Sequence, residues 1–297
     1  GNGAANTIID AQQLSRIFDV AGDGTDLTLD SLTLRNGRTT DSSSAGGAIR
    51  SLATATSSIT IVNSAVSNNS TGGSFASGGA LFSSSGAIVV TGSTFTGNYT
   101  EGTSSYGGAI ASHSATSDLS ITSSLISDNQ TSGDFARGGG VYFRGSAGFS
   151  GGIVFITNST LSGNATLGTF GLGGGIYSRE SDVVVTNATL TNNESAEGYG
   201  GAINAYNASA DVTIHNSIVA GNTDAGSHPE LRVGGTLTIE HSLIGDNTGT
   251  GLSATSGNTP DANGNFIGSG ASPIDPLLGP LAFNGGPTQT HALLSGS

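Results

Sequence analysis

The sequence predicts an all-β chain, a right-handed parallel β-helix of about eight full coils with an opening and a closing coil added. Three observations carry that expectation. A pattern best seen in ITIVNSAVSNN (59–69) recurs from Leu27, Ile59, Ile88, Leu119, Val154, Val183, Val212 and Leu237, at spacings of 25 to 35 residues. Its first, third and eighth places are apolar, as in Ile59, Ile61 and Val66, and they alternate with polar neighbours at the period of a half-buried strand. No window carries the apolar stripe of a helix, so three short β-type runs per unit read as one coil, with coils stacked at about 4.8 Å.

Taken in order, residues 1–26 form the opening coil, where Ile8, Ile9, Ile17, Phe18 and Val20 fill strand slots ahead of Leu27. Residues 27–247 are the repeat body. Its eleventh place holds Asn69, Asn98, Asn129, Asn164, Asn193, Asn222 and Asn247, with Gly37 in the first copy. Stacked coils bring these side chains above one another. An amide both donates and accepts, so the spacing predicts a structural asparagine ladder. Glycine pairs beginning at Gly46, Gly78, Gly107, Gly138, Gly173 and Gly200 predict corners that need positive φ and close backbone approach. The longest insertion spans 142–153. Residues 248–273 read as a polar loop, and 274–297, with Ile274, Leu277, Leu278, Leu281 and Leu293, are expected to close the rod. One uninterrupted repeat makes 1–297 a single domain.

Composition removes several classes of function. Cysteine is absent, which excludes disulfides and zinc–thiolate sites. All eight basic residues are arginine, and a net charge of −13 argues against nucleic acid and anionic lipid as partners. No apolar run reaches the length of a membrane span, so direct membrane insertion is not expected.

The pairing of GGA[ILV] with apolar-x-x-Asn, as in GGALFSSSGAIVVTGSTFTGN, resembles the repeat of the chlamydial polymorphic outer-membrane proteins. It is also similar to bacterial surface proteins with right-handed parallel β-helix repeats. The tail DPLLGPLAFNGGPTQTHALLSGS and the opening TIIDAQQLSRIFDV resemble the end and first coil of such domains. The resemblance implies the fold and an extracellular place on the bacterial cell surface. It implies little about chemistry, because the motifs are scaffold.

Candidate sites are read down the stack. The slot after each GGA[ILV] points outward and holds Arg50, Phe82, Ala111, Tyr142, Tyr177 and Asn204; two residues on come Arg144, Arg179 and Tyr206. Tyr142, Arg144, Tyr177, Arg179 and Tyr206 would thus stand together, suited to sugars or acidic sugars by stacking and bidentate bonding. A plain ladder of tyrosines supporting the sheet is the competing reading. A row before the glycine pairs, Phe75, Tyr106, Phe135, Phe170 and Tyr199, forms either a docking strip or a corner cover. His215 and Glu240 share a slot in adjacent coils, beside Asn216 and His241. Calcium is the one cofactor with candidates, at Asp19, Asp23 and Asp26 and at Asp261, Asn263 and Asn265, where ordinary Asx turns compete.

Two classes of function follow. One is a non-catalytic structural or adhesive module, a filament or matrix subunit whose partners are copies of itself or parent-protein domains at open coil ends. The other is a carbohydrate-binding or carbohydrate-active protein resembling polysaccharide lyases and hydrolases. Hydrolysis needs two matched carboxyl groups, and the carboxylates here are scattered one or two per turn. The first class is therefore favoured, with surface glycans or proteins as its further partners.

Overall fold

The computed structural model describes residues 1–52, 56–114, 116–145, 152–256 and 258–297; part of the predicted insertion, 146–151, lies outside the described residues. Among the described residues every regular element is a strand. The chain winds as a parallel β-solenoid of about eight turns. One coil shows the plan. Ala87–Thr91 lies on a first face, Thr94–Thr96 on a second, Tyr99–Thr100 on a third and Ile110–Ser112 on a fourth. These faces build sheets of eight, ten, seven and eight strands, each strand paired in parallel with its counterparts one coil away. The sequence expected three runs per coil. The fourth is the two-residue strand that begins after the ladder asparagine, too short to show a period.

The register is the one the repeat predicts. Leu27, Ile59, Ile88, Leu119, Val154, Val183, Val212 and Leu237 are consecutive Cα partners on the first face. With the third- and eighth-place residues they form one continuous core along the lumen. Alternation sets this. A slip of one residue would turn every Ile and Val outward.

The glycine pair answers two separate needs. Gly78 sits at φ +71°, and a Cβ on it would meet Leu81 O at 2.2 Å. Gly79 has no such φ, but a Cβ there would lie 2.1 Å from Gly108 O and 2.6 Å from Tyr99 O, because the third and fourth faces close tightly on each other.

Two polar ladders run inside the stack. The asparagine ladder is present from Asn69 to Asn222. Each Nδ2 donates to the next Oδ1 at 2.8–2.9 Å, and from Asn69 to Asn193 each backbone N–H reaches the same oxygen. Gly37 fits its start, since only its N–H is needed to reach Asn69 Oδ1, at 2.7 Å. Asn247 does not join. The Asn222 amide turns instead to the Glu230 carboxyl at 2.7 Å, and the Asn247 amide donates to Leu252 O. The second ladder is of serines. The N–H groups of Leu32, Ser64, Ser93 and Ser124 each bond the Oγ of the next serine, out to Ser159. After Ala188 it resumes through Ser217 and Ser242 and ends on Asn265 Oδ1.

The C-terminal segment does not close the rod. Leu278–Ala282 and Thr290–Leu293 form an antiparallel hairpin folded back along the outside of the stack. His291 Nε2 lies 2.9 Å from Ser162 Oγ, and Thr288 Oγ1 donates to Ser123 O. Leu277 and Leu293 are exposed, as are Phe283 and Leu294. Cover for the last coil comes from the preceding loop, where Leu252 packs on the core.

Candidate functional site

The outward slot of the fourth face is the place the sequence marks for binding. Tyr142 and Tyr177 are direct partners there, as are Arg144, Arg179 and Tyr206 two residues on. The tyrosines, however, are buried, with 1 % and 0 % of their surface exposed. The residue before each glycine pair folds over the outward slot of the next coil. Tyr106 stacks on Tyr142 at 4.7 Å, and the Arg137 guanidinium lies over the Tyr177 ring at 5.1 Å. With Ala45, Phe82 and Ala111 the two tyrosines make a second apolar core outside the lumen.

Within this layer the rings occupy one another's faces. Tyr142 and Tyr177 are stacked at 5.7 Å and 4°, and Tyr206 follows at 6.3 Å. The other side of Tyr206 is taken by the Arg232 guanidinium at 5.2 Å. No ring face among the three is therefore free for a sugar, which corrects the predicted stacking platform. Burial pushes the Tyr142 hydroxyl up to about 12 and raises that of Tyr177, so both are neutral. His113 packs edge-on against Phe82 and Tyr142; burial and the nearby Arg144 charge lower its pKa to about 4. The side chains left at the surface are Arg144, Arg179 and Tyr206.

The aromatic row before the glycine pairs divides in two. Phe75, Phe135 and Phe170 occupy one row, all exposed and all at φ near +59°. That backbone is unusual for a bulky residue. Tyr106 and Tyr199 belong to the covering row with Arg137 and Leu172.

His215, Glu240, Asp19, Asp26 and Asp261 are engaged within the chain. His215 Nδ1 and Glu240 Oε2 are 3.4 Å apart on an open strand pair. Asp19 binds Arg50 through both oxygens and also Arg16. Asp26 Oδ1 accepts from Ser58 N and Oγ, and Asp261 accepts from the N–H groups of Asn263 and Asn265, as an Asx turn does. No group of three or more His, Asp or Glu placed to hold a metal occurs among the described residues.

Residues 134–267, most of the later coils, match the model of a family described as right handed beta helix region. This chain is a β-helix repeat protein. Neither the comparison with curated proteins nor that with solved structures finds a match.

Three features of this β-helix escaped sequence reasoning. Arg137 joins the tyrosine layer from the corner row in register with Tyr106, and Arg232 joins it from the same outward slot, paired with Asn204 in a coil that lacks the glycine pair marking that slot. The serine ladder was signalled by six serines at the sixth place of eight copies, hidden in a serine-rich chain. Glu230 stands where other coils carry an alanine or a third glycine after the glycine pair, as the shared bonds from Ala202 and Ile203 to its carbonyl show. It is 2 % exposed, and burial pushes its pKa up to about 8 although Asn222 and Gly221 donate to it.

Proposed function

We propose that this β-helix is a non-catalytic structural module of an extracellular bacterial surface protein, and that further coils pack on its first coil. The observation that carries this is the asymmetry of the two ends. Ile8–Asp10, Phe18–Val20 and Leu27–Asp30 are the free edges of three sheets. Ile9, Ile17, Phe18 and Leu27 top the core only half-buried, and Ile8 and Leu14 are 47 % and 82 % exposed. Unpaired edges over an apolar face template more strands. The last coil also ends two sheets, at Leu231–Val233 and Leu237–Glu240, but it has Leu252 across its core and Glu230 and Asn265 ending its ladders. The covering coils are those of a partner molecule, other copies of this chain being the first candidate. The likeness of the GGA[ILV] and apolar-x-x-Asn repeats to surface β-helix proteins supports the location. Internal engagement of Asp19, Asp26, Asp261 and Glu240 supports a role without turnover.

The test is sedimentation across a concentration series beside a screen on neutral and acidic polysaccharides. Concentration-dependent association, suppressed by Ile8→Lys on the free edge, is the expected result. A chain that stays monomeric at high concentration, or turnover of a polysaccharide, would overturn the proposal.

A further inference from the structure

Half of the eight arginines, Arg137, Arg144, Arg179 and Arg232, gather on the outer side of the fourth face. Arg16, Arg35, Arg38 and Arg50 are each ion-paired with an acid. Of the other four, Arg179 alone has a carboxylate partner among the described residues, with its Nε 3.4 Å from Glu180 Oε1. That oxygen also accepts from Asn207 Nδ2 at 3.0 Å. From 135 to 179, 45 residues carry three arginines and no acid, in a chain of net charge −13.

Arg144 and Arg179 are direct cross-strand partners, so two guanidinium-bearing side chains leave the same side of neighbouring strands about 4.8 Å apart. Like charges placed opposite each other destabilise a sheet. Glu180 offsets part of this at Arg179 Nε, but the neighbours along the slot add no negative charge, since His113 on one side is a neutral imidazole and Tyr206 on the other a phenol. The Arg179 Nε is buried and makes no hydrogen bond. Two facing guanidinium groups with a single carboxylate between them match an oxyanion with two or more oxygens.

We infer that the Arg144–Arg179 pair is an anion-binding site that takes a sulfate or carboxylate group, whether free or carried on an acidic polysaccharide lying along the stack. The site selects charge rather than a sugar ring, because both faces of Tyr206 are occupied. It stands independently of how the first coil is covered.

The full chain is titrated with sodium sulfate against sodium chloride of equal ionic strength, then with polygalacturonate and with dextran sulfate. Thermal midpoint and tyrosine emission are read; tryptophan is absent, and Tyr142, Tyr177 and Tyr206 border the site. A saturable response is expected, weakened at least about tenfold in Arg179→Gln and Arg144→Gln and kept in Arg35→Gln. Without anion, Arg144→Gln should melt higher than the parent, and sulfate should abolish that gain. A polymer that binds more tightly than sulfate at equal group concentration identifies the polymeric source, and the reverse order identifies the free anion. No saturable response to any of the three, or a response unchanged in both arginine variants, overturns the site. Arg144 is exposed, so its variant tests the pair even if Arg179→Gln fails to fold.

Discussion

Asn164→Ala removes one rung from the middle of the ladder, and its cost can be worked from the bonds lost. The Asn164 Nδ2 donates to Asn193 Oδ1 at 2.8 Å and to Ile126 O at 2.9 Å. Its Oδ1 accepts from the Asn129 Nδ2 at 2.9 Å and the Asn129 N–H at 3.2 Å. All four bonds are buried. Alanine leaves the Asn129 N–H without this acceptor, halves the bonding of the Asn129 amide, which keeps Phe95 O, and strips a donor from Ile126 O. A buried polar group left unpaired costs about 1–3 kcal/mol, so the loss should be about 3 kcal/mol. Asn247→Ala forfeits a single part-buried bond to Leu252 O and should cost about 1 kcal/mol or less. Urea titration followed by far-UV circular dichroism compares the two, with transition width as the check that both unfold in one step. Equal losses, or a negligible loss at Asn164, would refute the claim that the rungs are mutually dependent.

Glu230 should give the β-helix an unusual pH profile. Its folded pKa near 8 exceeds the ordinary 4.5, so the fold holds a proton that the unfolded chain releases between those values. This group's contribution is full below about pH 4.5 and falls as pH rises to 8, by on the order of a few kcal/mol. Denaturant midpoints of Glu230→Gln should lack that decline, and parallel profiles for parent and variant would exclude it. Tyr177→Phe should change the thermal midpoint by less than the equivalent of about 0.5 kcal/mol, because the hydroxyl is buried without a partner. A loss above about 1.5 kcal/mol would mean that the hydroxyl is bonded after all.

Period and register were legible because the same alternation is written in every copy, and Leu27 to Leu237 fall into line with no offset. The asparagine ladder was legible for the same reason up to Asn222. Asn247 was misplaced because the last interval is the shortest and the ladder is intercepted earlier by Glu230, in HPEL where other coils write a glycine pair. Outward direction was read correctly for Tyr142 and Tyr177, yet exposure was not. Alternation within a strand says which way a side chain leaves the sheet. It says nothing about whether Tyr106 or Arg137, arriving from the corner of the preceding coil, lies on top of it. The backward course of the C-terminal hairpin had no signal at all, since contacts such as His291 with Ser162 join residues outside any repeat.

The distribution of unpaired polar atoms separates scaffold from candidate site. Inside the lumen each ladder rung is identical to the next, so every copy brings both a donor and an acceptor, and satisfaction follows from repetition. On the fourth face the repeat is broken, and the outward slot changes from Phe82 to Ala111 to Tyr142 while the next slot changes from His113 to Arg144 to Arg179. Unlike neighbours cannot complete one another. Among the described residues, nine buried side-chain atoms lack a partner, and six belong to Ser112, His113, Arg137, Tyr177, Arg179 and Ser181. Buried groups of this kind are costly to keep. A β-helix whose asparagine and serine ladders are satisfied by repetition, and which leaves Arg137, Tyr177 and Arg179 short of partners around two facing arginines, has a chemically unfinished surface there.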